Sequence, residues 1–109
     1  MRGGIYRIEV SWPDKKGCGV AVIRGKTFRG VDRDCAYLGE CSEKDGVPML
    51  SLRRVQLTEP KLDASSSQPI QLLGQADEEG FLLTIETDPT PIAIHGKWIC
   101  GSLIHAETQ

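Results

Sequence analysis

Asparagine is absent from this chain, histidine occurs twice, and aromatic residues supply only 6% of it. Without Asn there is no N-x-Ser/Thr acceptor for a glycan. The two histidines, His95 and His105, stand away from any Cys or carboxylate at a metal-ligand spacing, and His95 between Ile94 and Gly96 reads as an ordinary strand histidine. The four cysteines, Cys18, Cys35, Cys41 and Cys100, form no C-x-x-C, so they read as buried free thiols, with a disulfide between two of them left open. No G-x-S-x-G nucleophile motif and no G-x-G-x-x-G phosphate loop occur, and Gly17-x-Gly19 lies in a β pattern with no helix after it. No metal centre, no cofactor and no catalytic set emerges, and the reading is of a non-enzyme. No apolar run approaches the ~20 residues of a membrane span, and nothing in the first residues resembles a signal peptide, so a cytoplasmic protein without membrane contact is expected.

The chain also lacks helical periodicity, apart from one turn's worth inside its longest loop. What replaces it is alternation. Gly4 to Trp12 alternates apolar and polar residues, with Tyr6, Ile8, Val10 and Trp12 on one face and Arg7, Glu9 and Ser11 on the other. That period-two pattern marks a strand with one buried and one wet face. Pro13 ends it and Asp14 to Gly17 turns the chain. Further strands follow at Cys18–Ile23 (Cys18, Val20 and Val22 on one face), Lys26–Val31, Cys35–Cys41, Met49–Leu57, Ile70–Ala76, Phe81–Glu86 and Ile92–Leu103. Between them lie turn signals: Arg24-Gly25, Asp32 to Asp34, Ser42 to Gly46, Asp77 to Gly80 and Asp88 to Pro91. Thr58 to Pro69, with Pro60, three serines and Pro69, is the longest loop and the most mobile segment expected. Gly96 and Gly101 are expected bulges or bends.

At 109 residues the chain fits one domain, residues 1–109. About eight short strands on short connections make an all-β antiparallel meander, which removes its two edges by closing into a barrel; a two-sheet sandwich is the alternative. An eight-stranded barrel is filled by its own side chains or holds one small ligand. Tyr6, Ile8, Val22, Phe28, Leu83 and Ile94 are the expected lumen residues, and one functional reading is a carrier of a small apolar molecule held among them.

Charge is uneven. Residues 1–56 hold eleven Lys/Arg against seven Asp/Glu, and residues 57–109 hold two against eight. In a closed sheet this makes a dipolar surface, suited to a polar partner or to self-association. Arg24, Lys26, Arg29 and Arg33 cluster around Phe28, but few aromatics and a net charge of −2 argue against direct nucleic-acid binding. The acidic groups Asp32/Asp34 and Asp77-Glu78-Glu79 read as solvated turns.

Taken in order, Gly4-Ile5-Tyr6-Arg7-Ile8, Gly17-Cys18-Gly19-Val20-Ala21-Val22, Gly30-Val31-Asp32 and Tyr37-Leu38-Gly39-Glu40 resemble the GrlR family, small bacterial proteins related to a negative regulator of type III secretion gene expression. The likeness covers the first half of the chain. It implies a lipocalin-like (calycin-like) barrel, paired as a homodimer, that regulates transcription or secretion through protein–protein contacts. It also implies a basic DNA-binding activator as partner, held by an acidic loop after the Tyr-x-Gly strand. The matching positions are Glu43, Lys44, Asp45 and Gly46, where Lys44 and Gly46 dilute the acidity. Glu43 and Asp45, together with the more acidic turn Asp77-Glu78-Glu79, are therefore the expected partner-binding residues.

Overall fold

The structure, a computed structural model, describes residues 1–57, 68–86 and 91–101. Eight strands follow in chain order: β1 Gly4–Ser11, β2 Lys16–Arg24, β3 Thr27–Asp32, β4 Cys35–Lys44, β5 Val47–Gln56, β6 Ile70–Ala76, β7 Gly80–Ile85 and β8 Ile92–Cys100. Each pairs antiparallel with its neighbours in sequence, and β1 also pairs with β8, so the sheet is a closed eight-stranded barrel of lipocalin-like plan. Closure removes the two free edge strands that an open meander would have. Of the expected long loop, residues 58–67 lie outside the described residues, as do 87–90 and His105.

Alternation supplies the core. Tyr6, Ile8 and Val10 from β1, Phe28 from β3, Tyr37 and Cys41 from β4, Leu50 and Leu52 from β5, Leu72 from β6, Phe81 and Leu83 from β7, and Ile92 and Ile94 from β8 all point inward and are buried. On β2 the inward set is Ala21 and Ile23, and Val22 is 42% exposed, so the expected lumen position of Val22 is corrected. The register gives the reason. Residues directly opposite on an antiparallel pair point to the same face, and Tyr6 faces Ala21 while Ile5 faces Val22. With Tyr6 inside, Val22 must be outside; β2, apolar on both faces, could not reveal this alone.

Turn chemistry sets the other boundaries. Asp45 and Gly46 have φ of 52° and 79°, the positive pair that a two-residue hairpin of the right twist requires. The hairpin is therefore tighter than the expected Ser42 to Gly46 turn, and β4 runs on to Lys44. Trp12 lies beyond β1, in a turn closed by bonds between Trp12 and Lys15 (N to O, 2.7 and 3.3 Å), with Pro13-Asp14 at its tip. Gly96 is regularly paired to Ile8 and Phe81 and forms no bulge. Its role is space: a Cβ there would lie 2.3 Å from the Phe81 ring. The irregularity falls between Ile5 and Tyr6, which face Cys100 and Trp98, so Ile99 is the extra residue. All four cysteines are free, but only Cys35 and Cys41 are buried; Cys18 is exposed and Cys100 half-buried, correcting the expectation of four buried thiols.

Candidate functional site

The meander sends the β2–β3, β4–β5 and β6–β7 turns to one end of the barrel, where the chain also enters β1. Two acidic turns more than thirty residues apart in sequence meet there. Glu43 and Gly46 from the β4–β5 hairpin, Asp77 and Glu78 from the β6–β7 turn, and Met1 and Arg2 line one open depression of about 580 Å³. Asp77 is partly consumed by its own turn, its carboxylate accepting from the backbone N–H groups of Glu79 (2.8 Å) and Gly80 (3.0 Å). Glu43 and Glu78 are exposed. Asp45 sits at the hairpin tip, and Glu79 opens onto a neighbouring groove with His95 and Lys97. Of the five expected contact residues, the fold thus brings Glu43, Asp77 and Glu78 into one concavity.

Arg2 fixes the floor of this end. Its guanidinium lies 3.6 Å over the Trp98 ring and donates to the Glu78 carbonyl at 3.1 Å, while its own carbonyl accepts from the Tyr6 hydroxyl. The Trp98 indole N–H donates to the Gly3 carbonyl at 3.1 Å, held there by the irregular β1–β8 pairing. Burial pushes the Tyr6 hydroxyl above its usual range, against the smaller opposing effect of Arg2, so it remains a donor at neutral pH. The depression is an anionic dish with one tethered cation, suited chemically to cationic side chains.

The expected lumen residues Tyr6, Ile8, Phe28, Leu83 and Ile94 do meet inside the barrel, all at 0% exposure. They pack against one another and on Phe81, whose ring centroid is 5.1 Å from that of Tyr6 and 6.4 Å from that of Phe28. Because Phe28 is inside, it cannot act as a stacking platform among Arg24, Lys26 and Arg29.

The opposite end carries a polar cluster that sequence reasoning passed over as solvated turns. The Asp32 side chain is 1% exposed. One carboxylate oxygen accepts from the backbone N–H groups of Asp34 (2.8 Å) and Cys35 (2.7 Å), the other from the Tyr37 hydroxyl and the Lys15 ammonium (3.3 Å). Burial raises its pKa, but the bonds from Tyr37, Asp34, Cys35 and Lys15 outweigh it and hold the carboxyl below the usual range. Burial, then Asp32, drives the Tyr37 hydroxyl far above its usual value. Lys15 is raised, because the contacts to Asp32, Cys35 and Asp34 exceed its desolvation. Trp12 stacks on Tyr37 (centroids 6.4 Å, planes 11° apart), Arg54 covers Trp12 at 4.2 Å, and Arg54 bonds Asp14 at 3.0 Å. This plugs the barrel end. The available signal was Asp32 two residues before Asp34 and five before Tyr37: an Asx turn aims the carboxylate at the first inward residues of the next strand.

Among the described residues, no group of three or more His, Cys, Asp or Glu is placed to hold a metal ion, and no helix is long and apolar enough to cross a membrane. No protein-family model matches the chain, and no curated protein matches it.

Proposed function

We propose that this barrel is a non-enzymatic, GrlR-like regulator that acts by binding a basic segment of a protein partner in the anionic dish at the end of the barrel. The observation that carries the reading is the convergence of Glu43, Asp77 and Glu78, from two separate hairpins, on one open depression. A basic DNA-binding activator is the class of partner the family likeness implies, and a homodimer its working state. Charge complementarity of this kind raises the association rate and fixes register more than it deepens affinity, and it weakens as salt rises. Arg2, inside the same depression, keeps the dish from saturating with charge, so the contact is selective for a segment that alternates cations with neutral groups. The tight mutual packing of Tyr6, Phe28 and Phe81 favours this over carriage of an apolar molecule in the lumen.

The test is calorimetric titration with a Lys/Arg-rich peptide patterned on a DNA-recognition helix, at low and physiological salt. Binding that weakens about tenfold in a Glu43→Gln/Glu78→Gln variant supports the proposal. Equal binding by that variant, or no heat with the wild type, refutes it.

A further inference from the structure

The outer wall running from β1 to β5 has no assigned role, and three of its exposed residues are valines. Val20, Val22 and Val31 are 47%, 42% and 52% exposed. Val20 and Val31 are direct cross-strand partners, and Val22 lies two residues along β2 on the same face, so the three are contiguous. Cations are interleaved with them by register. Arg7 stands opposite Val20, Arg29 opposite Val22, and Arg53 opposite Leu38, the outward residue that is itself paired to Arg29. Arg29 is held flat on the wall by bonds from its guanidinium to the carbonyls of Phe28 (2.8 Å) and Gly39 (3.3 Å). Its charge is thus presented without further side-chain ordering, which lowers the entropic cost of a contact.

We propose that this wall is a second docking surface, for an acidic, apolar segment of a protein partner. Closure of the barrel leaves no strand edge to extend there, so recognition must come from side chains: the valines exclude water and the three arginines pair with carboxylates. Charge selects the occupant. A second copy of the chain would bring the same cationic wall against itself, and like charges brought together cost several kcal/mol. Nucleic acid finds no aromatic on this wall on which to stack, since Tyr6, Phe28 and Tyr37, the aromatics of β1, β3 and β4, are all inside. An anionic membrane would meet short valines and not the Trp, Phe and Leu that anchor interfacial surfaces. An acidic segment with apolar residues between its charges satisfies both components of the wall. The surface is distinct from the anionic dish and takes the opposite charge, so the two contacts can fail independently.

A random peptide library is panned on the full chain and depleted on a Val20→Ser/Val31→Ser variant whose melting curve matches the wild type. The expected result is enrichment of peptides rich in Asp/Glu and in Leu, Ile or Val. The best of these, made synthetically, should lose about tenfold in affinity with Arg29→Glu and be unaffected by Glu43→Gln/Glu78→Gln. Enrichment of basic peptides, no enrichment, or a selected peptide indifferent to Arg29→Glu overturns the proposal. So does stronger retention of the chain on phosphatidylserine vesicles or duplex DNA than on the selected peptide, or concentration-dependent dimerisation that Arg29→Glu strengthens.

Discussion

Replacing Asp32 by Ala tests most directly how the barrel is sealed. The wild-type carboxylate receives bonds from Asp34, Cys35, Tyr37 and Lys15. In the variant the Asp34 N–H and the Lys15 ammonium can turn to water, but the Cys35 N–H and the Tyr37 hydroxyl belong to buried residues. A buried donor stripped of its partner costs about 1–3 kcal/mol. Two of them give roughly 2–6 kcal/mol, and we expect about 3 because a water can enter at the barrel mouth. That is a large share of the roughly 5–15 kcal/mol by which domains are stable. At about 4–8 °C per kcal/mol for a domain of this size, the midpoint should fall by about 12–24 °C. Thermal unfolding followed by tryptophan fluorescence measures it, and urea unfolding gives the free energy directly, since Trp12 stacks on Tyr37 in the same cluster. Tyr37→Phe alone should cost about 1 kcal/mol. In the double variant the losses should be less than additive, because each single change already breaks the Tyr37–Asp32 bond. An Asp32→Ala unfolding free energy within about 0.5 kcal/mol of the wild type, the range of an ordinary surface change, would refute the picture of Asp32 as a buried clamp.

The depressed Asp32 carboxyl predicts an acid limb. Its folded pKa lies below the unfolded value of about 3.9, so the stabilisation is complete above that value and is lost as pH falls through the folded one. Chemical denaturation between pH 2 and 5 (a range of about three units around that value) should show the limb in the wild type and a flatter one in Asp32→Ala. The chain has only two tyrosines, and both are raised by burial. Native ultraviolet titration should therefore show tyrosinate forming above the usual value of about 10, with Tyr37 ionising after Tyr6. Gly96→Ala should cost about 1–3 kcal/mol by forcing the Phe81 ring aside, and Phe81→Leu should recover part of that loss in thermal melts. With a thiol reagent under native conditions Cys18 should label first, Cys100 more slowly, and Cys35 and Cys41 only on unfolding; burial also pushes the Cys41 thiol up, slowing it further.

The sequence by itself determined the strand count, the antiparallel order and most of the core. Period-two alternation in β1, β7 and β8 fixes which residues point inward once one face must be buried, and Asp45-Gly46 fixes a hairpin through positive φ. It could not orient β2, where apolar residues fall on both faces and only pairing with Tyr6 sends Ala21 inward and Val22 outward. Nor could it bring Glu43, at the end of β4, to Glu78 in the β6–β7 turn, since local pattern does not relate two separate hairpins and only the alternation of turns between the barrel's two ends makes them neighbours. Asp32 marks the same limit from the other side. An aspartate in a polar turn is ordinarily wet, and it becomes a buried clamp here only because the closed barrel needs a lid and Tyr37, Lys15 and two backbone amides converge on that carboxylate. Local pattern decides which face of a strand is apolar; the closure of the barrel, a long-range constraint, decides what meets at its ends.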